Sequence, residues 1–162
     1  MLAVRYLYVL ALVIWLGGMI VAGAIVAPAT FRVLESADPT TGRVLAGQVF
    51  GEILKRFNLV AYAAAAVLLL ALVVQRLVGP RPRAAGIRAG IIVLMLGATM
   101  YSGLVLTPRI DALQRAVSGP VNRLPADDAR RQEFDRLHGI SETLLSAAAF
   151  GGLLLLGWET RE

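Results

Sequence analysis

His138 and Glu142 stand four residues apart in a largely apolar stretch, so a helix there places both on one face. An imidazole beside a carboxylate can relay a proton, or hold a cation or a small polar ligand. Asn58 and Tyr62 form a second polar pair with the same spacing. Arg109, with Tyr101 and His138, is a candidate partner for the Glu142 carboxylate. His138, Glu142, Asn58, Tyr62 and Arg109 are therefore the candidate ligand- or proton-binding residues. An acid costs about 2.5–3.5 kcal/mol at the centre of a membrane helix and less near the interface, so Glu142 is expected to face the interior of a bundle. The competing reading is a hydrogen-bonded network between helices that only fixes their packing.

Other chemistries fit poorly. One histidine cannot provide bis-histidine ligation, and a chain with no cysteine has neither thiolate ligands nor thiol nucleophiles. No metal and no cofactor is expected. Ser141 and Ser146 lie near His138, but hydroxyls early in a span are ordinary packing groups, so no catalytic residue is assigned. An enzyme acting on a lipid-soluble substrate is the third-ranked reading, since a His and Glu pair can serve as acid and base.

The elements that must position these residues are membrane spans. The chain of 162 residues is 57% hydrophobic, against roughly 45–50% in soluble domains, and its mean hydropathy is +0.70. The apolar residues fall into blocks of about 20, the length that crosses a bilayer as a helix. Spans are expected over residues 2–28, 57–78, 87–107 and 137–158. Hydrocarbon demands that each backbone group be satisfied within its own segment, so the fold class is all-α, a four-helix transmembrane bundle in a single domain, 1–162. The first block exceeds the 7–15 apolar residues of a signal core and is read as a retained span. Residues 41–56 read as an amphipathic helix, with Leu45, Val49 and Ile53 on one side and Gln48, Glu52 and Lys55 on the other, expected to lie along the membrane surface.

Positions 80 apart match at telling places: Gly17 with Gly97, Gly23 with Gly103, Pro28 with Pro108 and Arg56 with Arg136. The same offset maps Asn58 onto His138 and Tyr62 onto Glu142. We read this as an internal repeat of two tandem helical hairpins in the same orientation. Pro28 and Pro108 are expected to kink or end their helices near one membrane face. The short connection from Arg76 to Arg88 has four arginines and no acid. It is assigned to the cytoplasm with both termini, against a larger but acid-diluted count of bases on the other side. With no basic stripe interleaved with aromatics, nucleic acid is not an expected partner. The lipid bilayer is, together with a second copy or another membrane protein.

Several stretches resemble a known family. Trp15-Leu16-Gly17-Gly18, Val26-Ala27-Pro28-Ala29-Thr30-Phe31, Ala46-Gly47-Gln48-Val49-Phe50 and Phe134-Asp135-Arg136-Leu137-His138-Gly139-Ile140-Ser141 look like the membrane family catalogued as domain of unknown function 4149, similar to eukaryotic transmembrane protein 205. The resemblance implies a four-span protein without an established activity, whose eukaryotic members are associated with tolerance of platinum drugs. It supplies no catalytic residues. Soft sulfur ligands would suit platinum, yet this chain has no cysteine, and Met19, Met95 and Met100 fall within spans.

The leading functional expectation is a transporter-like or small-ligand-binding bundle with a polar intramembrane site. The alternative is an accessory or scaffold subunit that docks other membrane proteins through its small-residue faces.

Overall fold

The computed structural model describes residues 2–78 and 84–161; Arg81 and Arg83 of the basic connection lie outside them. Among the described residues the fold is made of six α-helices: α1 (Leu2–Val21), α2 (Ala27–Ala37), α3 (Gly42–Val78), α4 (Ala85–Tyr101), α5 (Thr107–Arg115) and α6 (Ala129–Glu159). A five-residue π-helical turn, Ala22–Val26, joins α1 to α2, and another, Ser102–Leu106, joins α4 to α5. Four continuous helical segments, Leu2–Ala37, Gly42–Val78, Ala85–Arg115 and Ala129–Glu159, are long and apolar enough to cross a membrane. The chain is thus a multi-pass, all-α membrane protein built as a four-helix bundle.

The helices form a ring in which α1 packs on α3 and α6, and α4 packs on the same two. Beyond the ring, α2 leans on α3 and α5 on α6. Tyr8, Leu12, Trp15, Ala65, Leu68 and Ile92 fill the centre and are shielded from solvent. Leu7, Leu59, Leu70, Leu94, Leu104 and Phe150 stand exposed on the perimeter, where lipid takes the place of water. Small residues set the spacing. A Cβ on Gly18 would stand 2.2 Å from the Phe57 ring, and one on Gly151 would stand 3.0 Å from Met95 Cγ.

Neither proline ends its helix. Pro28 and Pro108 sit in the first turn of α2 and α5, where a missing N–H costs least. The π turn before each one bonds five residues back, Ala27 N–H to the Ala22 carbonyl and Thr107 N–H to the Ser102 carbonyl. The extra residue widens the turn and relieves the clash between a proline ring and the carbonyl four residues earlier. Residues 42–56 also differ from expectation: they are the opening turns of α3, collinear with the second span. No glycine or proline falls between Glu52 and Val78, so the helical ladder runs through. At 1.5 Å per residue the 37 residues of α3 extend about 55 Å, well past a hydrocarbon layer of about 30 Å.

Aspartates organise the turns at this overshooting end. Asp38 Oδ1 accepts from Thr40 N–H at 2.8 Å and Thr41 N–H at 3.2 Å, and its other oxygen accepts from the Thr41 hydroxyl. These bonds, the Thr41 hydroxyl first, hold the Asp38 carboxyl below the usual carboxylate range. Arg123 reaches across from the long α5–α6 connection to donate to the Pro39 carbonyl. Asp128 caps α6 by accepting from Arg130 N–H at 2.8 Å, while the Arg130 guanidinium bonds the same carboxylate at 2.7 Å. The guanidinium and then the N–H draw the Asp128 carboxyl down to about 2.

A folded value below the unfolded one of about 3.9 means this cap favours the fold fully above that pH and stops doing so as pH falls toward 2. The expected carboxyl titration of Asp128, followed by carbon-13 NMR in detergent, has its midpoint clearly below 3. A midpoint near 3.9 would contradict the cap.

Candidate functional site

The loop-side end of the bundle draws polar groups from three helices to one depth. Asn58 and Tyr62 lie one turn apart on α3, both partly buried. They face the second π turn: a Cβ on Gly103 would stand 2.4 Å from Asn58 Nδ2 and 3.3 Å from the Tyr62 hydroxyl. A larger residue there would oblige the Asn58 amide to move. On the other flank of that turn Ser102 and Ser141 share a hydroxyl–hydroxyl bond of 2.8 Å, which ties it to α6. Thr107 Oγ1 donates to the Ser102 carbonyl at 3.0 Å, giving an acceptor in the widened turn a second donor. π turns collect at functional sites because they break the regular ladder and re-aim side chains.

His138 and Glu142 behave differently. His138 Nε2 stands 3.2 Å from Glu142 Oε1, but the side chains are 56% and 70% exposed. The Phe134 ring stacks on the imidazole, centroids 6.0 Å apart. Glu142 therefore finds its partner on its own helix and faces outward, contrary to the expectation that it faces the bundle. Ser141, between them, takes the inward direction and meets the π turn that extends α4. Arg109 is exposed, and among the described residues no ion pair joins it to Glu142. The five candidates thus split into an inward pair, Asn58 and Tyr62, an outward pair, His138 and Glu142, and a peripheral arginine.

Ser102 was missed by sequence reasoning, although a serine beside glycine in an apolar span was a visible signal. More was missed at the opposite end, where Glu159 is 7% and Arg88 0% exposed. Arg88 Nη2 donates to Glu159 Oε1. Arg5 bonds Glu159 Oε2 through Nε at 3.2 Å and the Glu159 carbonyl through Nη2 at 2.9 Å. The Arg88 guanidinium also lies 4.7 Å from the centre of the Tyr8 ring, an arrangement that favours a cation. These charges close the end of the bundle by joining α1, α4 and α6. The sequence shows Arg5 and Arg88 only as flanking positive charges; their shared carboxylate is visible only once the helices are side by side.

The fold and these two polar clusters define a polytopic helical membrane protein with paired π turns. Residues 10–118 match the family described as Domain of unknown function (DUF4149), and the chain belongs to it. That match takes in the first span from residue 10 on, the second and third spans and both π turns, and stops before α6. No curated protein and no solved structure matches the chain.

Proposed function

We propose that this protein is a non-enzymatic, transporter-like membrane protein that binds a proton, a cation or a small polar ligand at the loop-side end of its bundle. The observation that carries the reading is the second π turn, where Gly103 receives Asn58 and Tyr62 from α3 while Ser102 bonds Ser141 of α6. The outward His138–Glu142 pair flanks Ser141 on α6. The two halves are related by duplication: the π turns start 80 positions apart, at Ala22 and Ser102, and each precedes a proline. A pseudo-twofold axis along the membrane normal follows from two-span units. The termini and the basic connection face the cytoplasm, and eukaryotic proteins similar to transmembrane protein 205 share the architecture.

Reconstitution into phosphatidylcholine liposomes with an imposed pH gradient tests this reading, with the proton, Na⁺ and K⁺ as probes. The wild type is expected to collapse a gradient of one of them faster than protein-free liposomes, and Tyr62→Phe and Glu142→Gln to slow the collapse at least about tenfold, the effect of about 1.4 kcal/mol on a barrier. Rates equal to those of empty liposomes for all three overturn it.

One observation favours the accessory-subunit reading. Val33, Leu45 and Val49 are exposed on α2 and the opening turns of α3, an apolar surface a partner could cover. A stable heterocomplex copurifying in mild detergent would support docking there, and a monodisperse homo-oligomer would weaken it.

A further inference from the structure

The end of the bundle that carries the termini holds most of the chain's surplus charge. There the sequence places Arg5, Arg76, Arg81, Arg83, Arg88 and Arg161 against Glu159 and Glu162, a surplus of four within a formal net charge of +5. Among the described residues Glu159 is the one acid of this end, and both its oxygens are engaged, Oε1 by Arg88 and Oε2 by Arg5. Arg76 and Arg161 are exposed and, among the described residues, take part in no ion pair or side-chain hydrogen bond. The loop-side end differs: Arg43, Arg56, Arg130, Arg131 and Arg136 each stand beside a carboxylate of the chain.

Arg5 gives the surplus an accessible edge. Its Nε and Nη2 hold the Glu159 side chain and carbonyl at 3.2 and 2.9 Å. Its Nη1 makes no hydrogen bond among the described residues, and the side chain stays 47% exposed. Arg161 comes two residues after Glu159, in the turn that closes α6, where its N–H donates to the Trp158 carbonyl at 3.1 Å. Two exposed arginines thus flank one fully engaged carboxylate at the seam where α1 meets α6. A guanidinium with a free edge forms short, charge-assisted hydrogen bonds to phosphate oxygens.

The neighbouring surface favours a phosphate carried by a lipid over a soluble one. Leu2, Tyr6, Leu10 and Val13 of α1 are exposed and recur at helical spacing, so they form one apolar stripe. Arg5 comes three residues after Leu2 and one before Tyr6, at the outer end of that stripe. A soluble anion gains nothing from such a surface, whereas an acyl chain lies along it and holds its headgroup level with Arg5. Tyr6 is an aromatic of the kind that settles at headgroup depth.

We propose that Arg5 and Arg161 form a site at the α1–α6 seam for the phosphate head of an anionic glycerophospholipid, with an acyl chain along the apolar stripe of α1. It lies at the opposite end from the loop-side site and does not depend on it. The test is thermal unfolding of the full chain in dodecyl maltoside with dioleoylphosphatidylglycerol as the probe, beside dioleoylphosphatidylcholine and soluble glycerophosphate at matched concentration. Phosphatidylglycerol is expected to raise the unfolding temperature of the wild type by about 5 °C, and the other two to leave it unraised. Arg5→Gln and Arg161→Gln are each expected to reduce the rise and together to abolish it, every rise being measured against that variant's own lipid-free value. Arg115→Gln, which removes an equal charge from the last turn of α5, is expected to keep it.

No rise with phosphatidylglycerol, or an equal rise with phosphatidylcholine, overturns the site. So does an undiminished rise in Arg161→Gln, whose lost side chain bonds nothing among the described residues and so reads binding apart from folding. An equal rise with glycerophosphate overturns the lipid as occupant in favour of a free phosphate ester. A rise lost equally in Arg115→Gln shows that overall charge, not this seam, attracts the lipid, and overturns the site as well.

Discussion

Replacing Glu159 with alanine is expected to destabilise the protein more than a substitution at any other polar position of the bundle. The change strips the carboxylate from between two arginines, one of them, Arg88, fully buried. Removing one member of a buried ion pair costs about 3–5 kcal/mol, because the remaining charge keeps its desolvation penalty and loses this counter-charge. For a chain of this size that is a fall in unfolding temperature on the order of 10 °C. Glu159→Gln keeps the shape and one acceptor and is expected to cost less. The double variant Arg88→Met with Glu159→Met removes both charges at once and is expected to recover much of the loss, since an apolar replacement of a whole buried pair is often neutral or better. Thermal unfolding in detergent, measured for all three variants, checks the order. Equal stability of Glu159→Ala and the wild type would show that the three helices do not depend on this carboxylate.

Gly42→Ala is expected to have the second largest effect, at the other end of the molecule. A Cβ there would stand 2.0 Å from the Leu34 carbonyl oxygen and 2.6 Å from its carbon. Both are backbone atoms of α2, so no rotamer change can make room. The turn that brings them together is braced by Gly42 N–H donating to the Asp38 carbonyl at 2.8 Å and by the Asp38 side chain. Alanine must therefore push α2 from α3, with a cost of about 1–3 kcal/mol, the range for overpacked positions. Amide hydrogen exchange of α2 is expected to speed up while that of α4 does not. Gly47→Ala is the control: nothing lies within 4 Å of its Cβ, so the better helix propensity of alanine should stabilise by up to about 1 kcal/mol. If both alanines behave alike, the close approach at Gly42 is not what holds the α2–α3 pair.

The positions of the spans were legible because hydropathy is additive along the chain and the bilayer reads it locally. The first polar residues of spans two and four were legible for the same reason: Asn58, Tyr62, His138 and Glu142 interrupt apolar runs. Which way each pair points was not. The 80-residue offset suggests equivalent environments for the two pairs, yet Tyr62 packs toward Gly103 and Glu142 faces outward. Which way a pair points depends on how the neighbouring helices sit against it, which no single helix encodes. Pro28 and Pro108 announced irregularity at the correct places, but proline in a helix can end it, bend it or come after a π turn. Each extra residue in a π turn rotates the remainder of the helix by about 100° relative to a regular one, so a periodic projection carried across Pro28 or Pro108 assigns the wrong faces to α2 and α5.

Composition and spacing alone therefore determined a four-span helical membrane protein with polar groups at one end and prolines near the ends of two spans. Tertiary structure alone decided that each proline comes two positions past the end of a π turn and that Gly103 seats Asn58 and Tyr62. It also decided that Glu142 faces outward from the bundle, and that Arg5, Arg88 and Glu159 meet at the far end. The reason is physical: insertion depends on sums over neighbouring residues, whereas a site depends on the relative rotation and separation of helices distant in sequence, set by which small residues let backbones touch.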